Sequence, residues 1–156
     1  MKIISNYKKL GFILFFSASF SLAQSNQTID EVIVSASLTP LERSETGNSV
    51  TIIDGNLIRD RGVINISQIL RDVPGFAVSQ SGGYGAQTQV RARGAESNHL
   101  LVLIDGVEAN DPSQNDEFVW GTVSIADIEK IEVIRGPQSA ISGSDALAGK
   151  VNIITR

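Results

Sequence analysis

The chain has 156 residues, the length of one domain, with 42% hydrophobic and 19% charged residues and a formal net charge of −4. It contains no cysteine, which excludes disulfides, cysteine-based metal sites, a thiol nucleophile and lipoprotein acylation. Beyond residue 23 it carries 10 basic against 17 acidic groups, a net charge of −7, which disfavours nucleic acid and anionic membrane surfaces as partners.

Met1 to Ala23 opens on Lys2, Lys8 and Lys9, continues through an apolar run from Leu10 to Phe20, and ends on Ser21-Leu22-Ala23. A basic start, a short apolar core and a small-residue end predict a secretory signal peptide over residues 1–23; the run is shorter than the roughly 20 residues that cross a bilayer. Gln24 to Thr28 is polar and predicts a flexible lead-in. Ile29 to Ala36 then gives a short β-branched run closed by Thr39-Pro40, ahead of any element expected to pair with it locally. An ordinary edge strand is one reading. The other is a strand kept free to add to the sheet edge of a partner, with Asp30 and Glu31 keeping it solvated until then.

Ser49 to Ile53 predicts the first strand of the fold, followed by a short helix that Asp54 caps and Gly62 ends. Ile66, Ile69, Leu70 and Val73 fall at i, i+3, i+4 and i+7, the apolar stripe of a helix with Asn65 or Ser67 as its cap and Pro74-Gly75 as its stop. Phe76 to Val78 begins another strand, and Ser79 to Gly85 makes a glycine-rich turn around Tyr84. That turn lacks the third glycine of a dinucleotide fingerprint, because Thr88 holds the position. Thr88 to Gly94 alternates as a strand with one polar face. Leu100 to Ile104 is apolar throughout, as in a strand covered on both sides, and Asp105-Gly106 turns the chain.

His99 is the only histidine, and no catalytic or metal constellation forms around it in the sequence. Glu108 to Glu117 is acidic and amide-rich but lacks the spacing of an EF-hand loop. Ser124 and Asp127 bracket a single helical turn that places Ile125 and Ile128 inward. The last stretch, D-I-E-K-I-E-V-I-R-G-P-Q-S-A-I-S-G-S-D-A-L-A-G-K-V-N-I-I-T-R from Asp127 to Arg156, reads as strand, small-residue loop, strand. Gly143 to Lys150 is not a P-loop, since five residues separate Gly143 from Gly149 and Val151 replaces the magnesium-holding Ser or Thr.

The blocks I-E-K-I-E-V-I-R-G-P-x-S-A, G-S-D-A and V-N-I-I-T, together with L-L-V-L-I-D-G from Leu100 to Gly106, resemble the plug domain of TonB-dependent outer-membrane receptors. Ser142 stands where that family often has an aromatic residue, and Lys150 where it usually has a small or aliphatic one. The resemblance implies an α+β fold, a small mixed four-stranded sheet with short helices, over residues 46–156, preceded by a flexible segment over 24–45. It implies that Asp30, Glu31, Val32, Ile33, Val34, Ser35 and Ala36 form a TonB box, gripped by the periplasmic energy-coupling protein TonB. It places Tyr84 and Gln87 at one ligand-facing apex and Asn110, Asp111, Ser113, Gln114 and Asn115 at a second, with a metal chelate such as a siderophore or cobalamin as the ligand. Arg91, Arg93, Glu129, Glu132 and Arg135 become the charges facing the wall of an outer-membrane β-barrel.

Beyond residue 23 the only aromatics are Phe76, Tyr84, Phe118 and Trp120, too few for the girdles of a membrane barrel. Two readings stay open: the gate of an uptake receptor in the outer membrane of a Gram-negative bacterium, or a free-standing secreted module on the same fold without transport activity. No nucleophile–base pair or metal site suggests an enzyme, and no cofactor is expected.

Overall fold

The computed structural model describes residues 32–33, 41–42, 47–83, 85–121 and 123–156. The expected signal peptide, the lead-in Gln24 to Thr28, five residues of the proposed box (Asp30, Glu31, Val34, Ser35 and Ala36) and Tyr84 lie outside them.

Nine strands and three short helices follow in chain order among the described residues: β1 (Val32–Ile33), β2 (Leu41–Glu42), β3 (Ser49–Asp54), α1 (Gly55–Asp60), α2 (Ile66–Leu70), β4 (Phe76–Gln80), β5 (Thr88–Ala92), β6 (Leu100–Ile104), β7 (Val107–Glu108), β8 (Ile128–Arg135), α3 (Ser139–Ser142) and β9 (Gly149–Thr155). The main sheet has the order β3-β8-β9-β6-β7. β8 and β9 pair antiparallel from Ile128↔Thr155 to Arg135↔Gly149, with a register slip at Glu129. β3 lies antiparallel to β8, and β6 lies parallel to β9. The expected mixed sheet is therefore present: four strands of five to eight residues form its body, and the two-residue β7 closes an edge.

Local chemistry accounts for the boundaries. Asp54 accepts a hydrogen bond from Asn56 N at 2.6 Å and starts α1, and Gly62 follows it at φ 58°. Asn65 is the cap of α2, accepting from Ser67 N at 3.0 Å. The helix stops at Leu70, shorter than its apolar stripe; Val73 is brought in by a turn in which its N–H donates to Leu70 O, just ahead of Pro74. Asp105 and Gly106 both have positive φ, 51° and 83°, the two-residue hairpin turn that matches strand twist.

One face of the sheet builds the core. Ile53, Ile131, Val133, Val151, Ile153, Leu100 and Val102 pack with Ile58 of α1 and with Ile66, Ile69 and Leu70 of α2. Each fully buried aliphatic side chain contributes about 2 kcal/mol by removal from water. The opposite face is mixed: Val50, Ile134 and Leu101 are buried there, and beside them so are three polar residues, Glu132 at 0% exposed, Lys150 at 4% and Asn152 at 2%. Lys130 Nζ pairs with Glu132 at 2.9 Å, and Lys150 Nζ donates to Ser142 Oγ at 2.8 Å. Burial pushes the Lys150 ammonium below its ordinary pKa, and the nearby Glu132 carboxylate opposes the shift. The two positions that depart from the resembled pattern thus meet in one hydrogen bond.

Two predictions follow from this packing. A Cβ on Gly55 would collide with the carbonyl oxygens of Ile128 and Glu129, so Gly55→Ala should cost roughly 1–3 kcal/mol in chemical denaturation, whereas Gly47→Ala, in open space, should stay within about 0.5 kcal/mol. The Asp105 carboxylate accepts from Thr155 Oγ1 at 2.6 Å and Thr155 N at 2.8 Å, and these bonds hold its pKa below the ordinary value. A lowered folded-state pKa stabilises above the unfolded value of about 4 and loses that contribution as pH falls through the folded value. Asp105→Asn should therefore flatten the acid limb of a stability-versus-pH curve below about pH 4 and leave its alkaline limb in place.

Candidate functional site

β4 and β5 pair from Phe76↔Ala92 to Gln80↔Thr88 as a hairpin separate from the main sheet. Its loop is held by Ser81 N donating to Gln87 O at 3.0 Å and by Gln80 Nε2 donating to Gly83 O at 2.7 Å. Gly85, at φ 81°, supplies a left-handed step that side chains resist.

The second loop is fastened from inside. Asn110 Oδ1 accepts from Val102 N at 2.8 Å, while its Nδ2 donates to Leu100 O at 3.1 Å and Asp116 O at 2.6 Å. Asp111 accepts from Ser113 N and Ser113 Oγ at 2.9 and 2.7 Å, capping the turn Pro112–Gln114. Those two bonds, with a smaller contribution from the Gln114 side chain, hold its carboxyl below the usual pKa range. Asn115 and Asp116 take left-handed conformations at φ 59° and 57°, which short amide and carboxylate side chains tolerate best after glycine. Glu117 then turns inward, accepting from Ser97 Oγ at 2.5 Å and Gln89 Nε2 at 3.0 Å. It thereby ties the second loop to β5.

Joined in this way, the two loops enclose a cleft of about 620 Å³. Of the residues expected at the two apices, Gln87, Ser113, Gln114 and Asn115 line it. Asn110 and Asp111 do not: their side chains are engaged within the loop, Asn110 with Val102, Leu100 and Asp116 and Asp111 with Ser113. Thr88, Glu117, Phe118, Val119 and Trp120 line the cleft as well and were not expected. Phe118 and Trp120 are 6% and 4% exposed and meet edge to face at 4.8 Å. Their signal was present in composition, since they are two of the four aromatics beyond residue 23.

The charges expected at an outer wall divide. Glu129 is exposed at the β8 slip, and Arg93 is exposed with its guanidinium over Gly136. Arg91 donates to Gln89 Oε1 at 3.1 Å. Arg135 reaches Pro74 O at 3.0 Å and Thr51 Oγ1 at 2.9 Å, fastening the start of β3 to the base of the hairpin. Glu132 is a correction: β8 is a central strand, Ile52 and Asn152 flank the residue in register, and it is fully buried. The N-terminal strand needs another, because Val32 and Ile33 do find a local partner in Glu42 and Leu41; this two-stranded ribbon is separate from the main sheet. Among the described residues no group of His, Cys, Asp and Glu is placed to hold a metal ion. The histidine at position 99 serves through its carbonyl, which accepts from Ala148 N at 2.9 Å.

Comparison with known proteins gives a consistent picture. The TonB-dependent receptor plug domain family matches residues 42–150. The vitamin B12 transporter BtuB of Vibrio vulnificus (strain CMCP6) is 41% identical over 137 residues, covering 88% of this chain and 22% of that protein. A mutant ferric enterobactin receptor of Pseudomonas aeruginosa, in complex with enterobactin, aligns with a TM-score of 0.57 and 34% identity over 72% of this chain and 18% of its own. The P. aeruginosa receptor FpvA, bound to a heterologous pyoverdine with iron, aligns with a TM-score of 0.66 and 25% identity over 80% of this chain and 16% of its own. The chain spans 22% of the length of the curated relatives it matches.

Asn110 supplies three hydrogen bonds to the loop that forms half the cleft. Asn110→Ala should therefore lower stability by roughly 2 kcal/mol in urea denaturation, while Gln114→Ala, exposed at the rim, should stay within about 0.5 kcal/mol.

Proposed function

Because the chain belongs to the family of TonB-dependent receptor plug domains, we propose that it is the gate of an outer-membrane receptor for active uptake of a metal chelate, a siderophore or a cobalamin. The observation that carries this reading is the cleft: two loops separate in sequence close on one hollow of small-molecule size, lined by amides, two hydroxyls, a carboxylate and two aromatic rings. Gln87, Ser113, Gln114 and Asn115 contact the ligand, joined by Thr88, Phe118 and Trp120, and Tyr84 is added to them on the sequence alone. Similarity to a vitamin B12 transporter and to siderophore receptors supports both the cargo class and the outer-membrane location.

The gate sits in the lumen of a β-barrel, with Arg91, Arg93, Glu129 and Arg135 toward the wall. Polar and water-bridged contacts of this kind hold a plug yet release at modest cost compared with a dry apolar interface. No phosphate-binding loop is present in the sequence, so energy comes from outside, through TonB pulling on Asp30, Glu31, Val32, Ile33, Val34, Ser35 and Ala36. The ribbon that Val32 and Ile33 form with Leu41 and Glu42 is only two residues long on each side, a pairing weak enough to be exchanged for a strand of TonB.

Capture by the periplasmic part of TonB tests the handle. The native protein should be retained, and Ile33→Pro, which removes a main-chain donor, should lose most of that retention. Equal capture of both would contradict the role given to this segment.

A further inference from the structure

The charge of the cleft carries a conclusion about what it admits. Its lining among the described residues contains no lysine, arginine or histidine. The sequence extends this to the whole of both loops: residues 79–88 and 109–121 hold no lysine or arginine, while 109–121 holds three carboxylates, Asp111, Asp116 and Glu117. The nearest cation along the hairpin, Arg91, turns its guanidinium to Gln89 Oε1, and Gln89 in turn reaches Glu117. Glu117 is the one charged group on the lining, and it is negative.

What the cleft does offer is neutral. Gln87 and Asn115 carry a donor and an acceptor each, and Gln114, whose amide N–H is shared with the Asp111 carboxylate, adds an acceptor, a pattern that pairs with carboxamides. Phe118 and Trp120, packed edge to face and almost wholly buried, add a small apolar surface to the lining. A polyanion placed here meets a carboxylate and leaves its own charge without a partner, and both effects count against it in a partly desolvated site.

We infer that this cleft accepts the uncharged, amide-bearing face of its ligand and rejects polyanionic chelates such as iron catecholates. The inference rests on the reading of the cleft as the ligand face and adds to it the class of ligand.

The test measures equilibrium binding of two probes, cyanocobalamin and ferric enterobactin, to the full-length protein in outer-membrane vesicles. Cyanocobalamin should bind at least about tenfold more tightly. Its affinity should change by less than about twofold between low and high salt, because no ion pair holds it. Gln114→Lys, which places a cation at the rim, should raise the affinity for ferric enterobactin by about tenfold. Ferric enterobactin binding to the native protein as tightly as cyanocobalamin, or more so, overturns the inference and leaves the receptor reading intact. A Gln114→Lys variant with no gain for the catecholate also counts against it. If neither probe binds, the inference and the receptor reading fall together.

Discussion

The antiparallel pairing of β8 with β9 is the constraint on which the rest of the structure depends. β9 takes β8 on one side and the parallel β6 on the other, and β8 takes β3 on its outer side. The join between β8 and β9 is possible because Gly149 has no side chain: a Cβ there would lie 2.5 Å from Ile134 O. Gly136 N donates to Ala148 O at 3.0 Å and Gln138 N to Ala146 O at 2.8 Å, which closes the loop at its neck. With this pair set, β6 can lie only where Ala148 N meets His99 O, and the position of β6 fixes the cleft.

That last link runs through two side chains. Asn110 bonds to the backbone of Leu100 and Val102, which fixes the acidic loop to β6. Glu117 bonds to Ser97 and Gln89, which fixes the same loop to the 3-10 turn before β6 and to the hairpin. Each neutral hydrogen bond contributes about 1 kcal/mol and those to the carboxylate about twice that, so the set outweighs the entropy of ordering a few loop residues. The division of labour is by direction. Asn110, Asp111 and Glu117 hold the loop from within, while Gln87, Gln114 and Asn115 are left exposed at the mouth.

Features governed by neighbours in sequence were readable from the sequence. The Asp54 cap, the stripe through Ile66 and Val73, and the Asp105-Gly106 turn are each decided within a few residues, and the structure keeps all three. The buried apolar run of β6 also announced itself, with both of its ends, from Leu100 to Ile104. What could not be read locally was burial of charge: Lys130 and Glu132 alternate with isoleucine and valine as on a solvated face, yet strands from distant parts of the chain cover Glu132. The same limit applied at the cleft. Asn110 and Gln114 are equally polar amides in one loop, and only the position of β6 decides that the first is tied to a strand while the second stays exposed at the rim of the cleft, beside Asp111.

The central claim, that two separate loops act as one ligand face, is tested most directly by deuterium exchange on the protein in outer-membrane vesicles with and without saturating cyanocobalamin. The account predicts that amides in 85–88 and 113–121 slow together, with the same half-saturation concentration. Saturation of the protein with both segments exchanging at their unliganded rates would contradict it.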